Sequence, residues 1–204
     1  MKGLRVGVIS ILLIISSLKA QHLVINEVSL GTLKWVEIYN PTSSNINLNG
    51  WKIRNSSGED ELQGIIEAHS YYLIVNYLSD FYAVYPNVSC QKFEPVDHTI
   101  GSGLSKRADM LQLVDPSGNV VDQINWGTPD PSWPNYTVSL WYPGIILDSD
   151  IMARIPNGRD KDASTDWRVP SHPTPGEPNP VMSGLDSSSW GKIKALFGSG
   201  GKIL

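Results

Sequence analysis

WVEIYNPTSSNINLNGWKIRN, residues 35–55, decides how this chain folds. Trp35, Glu37 and Tyr39 alternate with Val36 and Ile38, the period of two that sends successive side chains to opposite faces of a strand. NPTSSN then supplies turn chemistry, and INLNGWKIRN (46–55) resumes the extended pattern. Two extended runs separated by a polar turn read as strands rather than as a helix.

Working outward, the same rhythm recurs in HLVINEVSL (22–30), YYLIV (71–75), MLQLVD (110–115), NVVDQINW (119–126) and IMARI (151–155). In the first of these Val24, Asn26 and Val28 fall at alternate positions. Turn signals separate the runs, and DPSGN (115–119) predicts a hairpin between its neighbours. LSDFYAVYP (78–86) breaks the pattern: Leu78, Phe81, Tyr82 and Tyr85 lie at helical spacing, and Pro86 ends the segment. GTPDPSWPNYTVSLWYPG (127–144) is an aromatic, proline-rich excursion carrying Trp133, Tyr136, Trp141 and Tyr142. Such aromatics either stack on a sugar or receive a peptide, or fold back as a lid over the body. Many short strands with Gly, Pro and Asn turns indicate an all-β sandwich or barrel.

The ends differ from the body. Lys2 and Arg5 precede an apolar run of thirteen residues, Val6 to Leu18, and Ala20 offers a cleavage point before Gln21. That run is shorter than the ~20 residues of a spanning helix. Residues 1–20 therefore read first as a cleaved secretory signal, with an uncleaved signal anchor as the alternative. Residues 181–204 begin with linker composition and end in WGKIKALF (190–197), whose Trp190, Ile193 and Phe197 form a short apolar face. A segment that short needs a surface, and weak contact with a membrane interface is one reading. Between the ends, residues 21–180 carry ten Lys/Arg against nineteen Asp/Glu, a net of −9, whereas the whole chain stands at −4. Nucleic-acid binding relies on basic groups that displace counterions, so a domain this acidic is not expected to bind it. The single cysteine, Cys90, cannot make an internal disulfide and reads as a small buried hydrophobe. Asn55, Asn87 and Asn135 open N-x-S/T sequons and are candidate glycan acceptors.

The ordered series Asn26-Glu27, Trp35 to Pro41, then Leu48, Gly50 and Trp51 resembles the lamin tail domain family. The similarity continues through YYLIV, GSGLSKRADMLQLVDPSGNVVDQINWG (101–127) and ARIPNGRDKDASTDWRVPSHPTPGEPN (153–179). The resemblance implies an immunoglobulin-like β-sandwich over residues 21–180, with two sheets, about seven to nine strands, a short helix near 78–86 and no inter-sheet disulfide. It further implies a secreted or cell-surface prokaryotic member, an accessory or adhesion unit, and it supplies no catalytic residues. In that setting Trp35, Ile38 and Trp51 are expected in the core, with Asn26 and Asn40 bonding backbone at strand ends. Glu27 and Glu37 are strand carboxylates for which Arg154 or Arg168 is the expected partner. A paired Glu can also serve as acid and base in hydrolysis.

NGRDKDASTDW (157–167) is the stretch that most resembles chemistry. Asp160, Asp162 and Asp166 offer oxygen ligands, and Ca²⁺ is the ion they would suit. Their spacing departs from a helix–loop–helix calcium loop, with Thr165 where glycine belongs and Ser171 where the bidentate glutamate belongs. Arg159, Lys161 and Arg168 already supply positive charge, so the preferred reading is a turn bent at Asn157-Gly158 whose aspartates cap backbone amides. No nucleophile elbow, zincin or nucleotide-binding pattern is present, and His22, His69, His98 and His172 are scattered. The expectation is therefore a non-enzymatic module without a cofactor, secreted or at the cell surface, that binds an envelope or extracellular protein or a polysaccharide. Its ligand contacts are expected at Trp133, Tyr136, Trp141 and Tyr142. The alternative is an accessory domain supporting an exported hydrolase, with a calcium-dependent or hydrolytic site on the sandwich as a further reading.

Overall fold

The computed structural model describes residues 21–127, 130, 132 and 151–180. Twelve strands appear there: β1 (Val24–Ser29), β2 (Trp35–Tyr39), β3 (Ile46–Asn47), β4 (Lys52–Asn55), β5 (Glu59–Glu61), β6 (Ile65–Ile66), β7 (Tyr71–Val75), β8 (Gln91–Phe93), β9 (Asp109–Val114), β10 (Val120–Trp126), β11 (Ile151–Arg154) and β12 (Trp167–Arg168). One helix, α1, spans Leu78–Val84. The strands form a six-stranded sheet in the order β12-β11-β1-β2-β7-β8, a four-stranded sheet β10-β9-β4-β5, and the pair β3-β6. The count exceeds seven to nine because five of the twelve are pieces of two or three residues. The stretch 46–55 is one such case. Gly50 sits at φ 81, and the Trp51 amide turns back to the Leu48 carbonyl at 2.9 Å, which splits the run into β3 and β4.

The inner faces of the two main sheets close on one core that includes Ile25, Val28, Ile38, Tyr72, Leu111, Leu113 and Trp126, with Trp51 packed at its margin. The outer face of the larger sheet is covered as well. Trp35, Leu73 and Val75 pack there against Phe81 of α1, and the Trp35 and Phe81 rings meet edge to face at 6.5 Å. Trp35 and Ile38 thus fill different cores, on opposite sides of one strand. This double coverage leaves every residue of β1 and β2 buried. Along β1 the register slips by one residue between Ile25 and Glu27, a bulge at Asn26. It explains why Val24 joins an outer cluster with Tyr39 while Val28 joins the inner core, although simple alternation puts them on one face.

Helix α1 occupies most of the predicted 78–86 segment and turns Phe81 inward, while Tyr82 remains half-exposed beneath the Lys92 ammonium. The Glu94 carboxylate accepts the Leu78 amide at 2.7 Å at the start of this helix. The predicted hairpin is present between β9 and β10. Asp115 Oδ1 accepts the Ser117 and Asn119 amides, and Gly118 takes φ 87.

Candidate functional site

Glu27 and Glu37 are direct cross-strand partners on β1 and β2, and both are fully buried on the outer face of the six-stranded sheet. Like charges at such a position repel, so the pair needs something to stabilise it. Residues 174–179, a strap leaving β12, supply that. The Thr174 amide and hydroxyl donate to the Glu27 carboxylate at 3.0–3.3 Å, and the Gly176 amide donates to Glu37 Oε2 at 2.6 Å. Asn26 Nδ2 donates to Glu37 Oε1 at 2.8 Å, while its Oδ1 accepts the Gly158 amide at 3.2 Å. Asn179 anchors the end of the strap, donating to the carbonyls of Asn26 at 3.1 Å and Arg154 at 2.9 Å. Asn157 accepts the Asn179 amide at 2.6 Å and bonds the Tyr71 hydroxyl. Burial pushes the Glu27 carboxyl up to about 7, against the pull of Thr174. Glu37 is raised well above the usual carboxylate range by burial and then by the neighbouring Glu27 charge.

Neither arginine expected beside this pair reaches it. Arg168 donates to the Trp167 carbonyl, and Arg154 is committed to a second buried cluster one strand away. Its guanidinium grips Asp122 with Nη2 at 2.6 and 2.9 Å, donates from Nη1 to the Arg159 carbonyl at 2.7 Å and to Asp160 at 3.2 Å, and from Nε to the Ile25 carbonyl at 2.7 Å. Its plane lies 4.9 Å from the Trp167 ring. Burial lifts Asp122 to about 6 although Arg154 holds it down.

The aspartates of 157–167 are drawn into this cluster. Asp160 turns to Arg154 and to His22 at 3.4 Å. Asp166, fully buried, accepts from Arg159 Nε at 2.8 Å and from the Lys161 amide at 2.7 Å. Asp162 is exposed, with its own amide turned to Asp160. Among the described residues no three His, Cys, Asp or Glu side chains converge in a way that would hold a metal ion. Amide capping by these aspartates and the bend at Asn157-Gly158, where Gly158 has φ 66, are both present.

Other expected sites fare differently. Asn55 is buried, and its carboxamide organises a loop: Nδ2 donates to the Gly103 carbonyl at 3.0 Å, and Oδ1 accepts the Ser57 and Gly58 amides. The nitrogen a glycan would need is therefore engaged inside the fold, which removes Asn55 as an acceptor in the folded chain. Asn87 is exposed on the loop after α1. Cys90 is half-buried beside Gly176, and burial pushes its thiol up to about 11. Trp133, Tyr136, Trp141, Tyr142 and Asn135 lie outside the described residues, as do the 1–20 and 190–197 segments.

Asp122 and the strap had no place in those expectations, and Arg154 entered them only as a partner for Glu27 or Glu37. A signal was available for the two charged residues. Arg154 stands inside the apolar run IMARI and Asp122 inside VVDQI, and a charge embedded in a strand of that kind calls for a partner.

The family model for the lamin tail domain matches residues 16–128, more than half of the chain. No curated protein matches the sequence. The strands β11 and β12 and the strap lie beyond the matched residues, yet the two strands belong to the same six-stranded sheet and the strap covers Glu27 and Glu37 on its outer face. With the ordered motifs and the immunoglobulin-like sandwich, the chain belongs to the lamin tail domain family.

Proposed function

We propose that this chain is a non-catalytic exported module that binds an envelope or extracellular protein, or a polysaccharide, at the cell surface or outside the cell. The observation that carries this reading is the use made of its carboxylates. The acids best suited by burial to proton transfer, Glu27, Glu37 and Asp122, are saturated by the strap, by Asn26 and by Arg154. A general acid or base must reach a substrate proton, and these face only protein. What the described body offers to solvent is an acidic surface with single exposed apolar residues at Ile65, Tyr77, Tyr82, Val84 and Val96. A rigid sandwich with loops at its ends is a scaffold on which recognition is commonly built.

The aromatic excursion is the first region to test. Envelope pull-downs and glycan-array binding with wild type, Trp133→Ala and Trp141→Ala are expected to show loss of retention in the variants. Equal retention by all three would remove this loop as the contact. N-terminal sequencing of the protein from culture medium and from the envelope fraction tests export, with Gln21 as the expected first residue.

A further inference from the structure

The four-stranded sheet ends at β5, which has no strand on its far side among the described residues. The Asn55 amide bonds the Gly58 carbonyl at 2.9 Å and the Leu62 amide bonds the Trp51 carbonyl at 2.7 Å. In an antiparallel ladder the inward-bonding residues alternate, so Gly58, Asp60 and Leu62 face β4. The N–H and C=O of Glu59 and Glu61 therefore point away from the sheet, and no described residue bonds them. Beside this edge lies an open concavity of about 440 Å³, bordered by Glu59, Asp60, Glu61 and Gln63 on one side and by Phe93, Val96 and Asp97 on the other.

Unpaired edges invite pairing with another strand, and charges on them select what can pair. Glu59 is already neutralised by Lys52 and, at 3.1 Å, by Arg54. Asp60, Glu61 and Asp97 form no ion pair with a described lysine or arginine. The Asp97 charge is near enough to Asp60 to raise it, so both carboxylates face one region. Val96 is 97% exposed at the rim of that region. A second copy of this chain would set Glu-Asp-Glu against Glu-Asp-Glu, which is unfavourable. A lysine suits the place, laying its aliphatic stem on Phe93 and Val96 and its ammonium near Asp60 and Asp97.

We propose that the β5 edge and its acidic concavity receive an extended segment of a partner protein with lysine or arginine at alternate positions, added as a further antiparallel strand. Main-chain bonds to Glu59 and Glu61 would supply register, and the carboxylates would supply selectivity. The inference deepens the binding-module reading but draws on no residue of 127–149, so failure of the Trp133 and Trp141 test leaves it intact.

The probe is a short synthetic peptide alternating lysine and valine, titrated against the full chain by calorimetry. Three comparisons accompany it: the same peptide N-methylated at the amides facing β5, an alternating glutamate–valine peptide, and the Glu61→Pro variant. Proline there removes an outward N–H and leaves the β4 ladder in place. The expected result is salt-sensitive binding of the lysine peptide, weakened about tenfold by N-methylation or by Glu61→Pro, and none of the glutamate peptide. Should Glu61→Pro melt early, the N-methylated peptide decides alone. Equal binding of the methylated peptide would reduce the effect to general attraction by an acidic surface and overturn the proposal. Tighter peptide binding after removal of residues 181–204 would assign the edge to the chain's own tail, and a dimer abolished by Glu61→Pro would assign it to a second copy. Either result also overturns the proposal.

Discussion

Two buried charge clusters, one on the outer face of the larger sheet and one joining Arg154 to Asp122 of the smaller sheet, solve the same difficulty in opposite ways. Around Arg154, one guanidinium and the Arg159 side chain meet Asp122, Asp160 and Asp166, so most of the negative charge has a cation within reach. At Glu27 and Glu37 no cation among the described residues is present, and neutral donors from the strap and Asn26 answer two facing carboxyls. The first arrangement lets acids stay ionised inside a protein. The second favours a bound proton, because hydrogen bonds alone do not offset the desolvation of two adjacent charges. Both tie distant pieces of chain together, and in the second that tie depends on pH with no cation to hold the acids ionised.

The sharpest way to break this contrast is to remove the cation. Arg154→Leu leaves Asp122 and its neighbours buried without compensation, and a loss of about 3–5 kcal/mol is expected in urea denaturation. Replacing Asp122 by leucine in the same chain should recover part of that loss, since an apolar pair carries no stranded charge. A small effect of Arg154→Leu would mean that water or rearrangement answers these acids.

The acid pair is probed by pH. Glu27 has its proton held more tightly in the folded chain, with its value moved from 4.5 to about 7. The associated stability is fully present below the unfolded value of 4.5 and is lost as pH rises through about 7, up to about 3 kcal/mol. Asp122 is also raised, to about 6, and titrates over an overlapping range, so the Glu variants rather than the pH window separate the two contributions. In melting curves, Glu27→Gln and Glu37→Gln should flatten the decline of Tm with rising pH that the wild type shows. Parallel curves for wild type and both variants would break the comparison.

Smaller effects sharpen it. Gly176 carries the amide that reaches Glu37, at φ 80, and a Cβ there would meet Val88 Cγ1 at 2.8 Å and Cys90 Sγ at 3.2 Å. Gly176→Ala should therefore cost about 1–3 kcal/mol and raise hydrogen exchange at Thr174 and Gly176 first. Asp162→Ala, at an exposed position beside the Arg154 cluster, should fall within about 0.5 kcal/mol of wild type by the same denaturation assay.

The sandwich was legible because its signals are local. Alternation, the DPSGN turn and the proline after the helix each act within a few residues. The faces were not, because one bulge at Asn26 reverses the register of a strand without a mark in composition. The clusters were hidden for a related reason. Glu27 finds its donor at Thr174 and Arg154 finds the Ile25 carbonyl, contacts closed only when the last strand and the strap return to the first. Proximity in sequence pointed instead to Arg159, Lys161 and Arg168 around the aspartates. Of these only Arg159 places its side chain on one of them, at Asp166, while Lys161 contributes its backbone amide. Reading a lone Arg inside IMARI as a buried charge in need of a partner is the inference that was open and decisive.

The most direct test is to follow the side-chain carboxyl carbons of Glu27 and Glu37 by NMR across pH 3 to 9, together with the Thr174 and Gly176 amides. Titration of Glu27 near 7, with Glu37 also raised well above the usual carboxylate range and both strap amides shifting in step, is the expected result. Midpoints near 4.5 for both, with strap amides that do not respond, would show that the pair is ordinary and that the strap is held by something else.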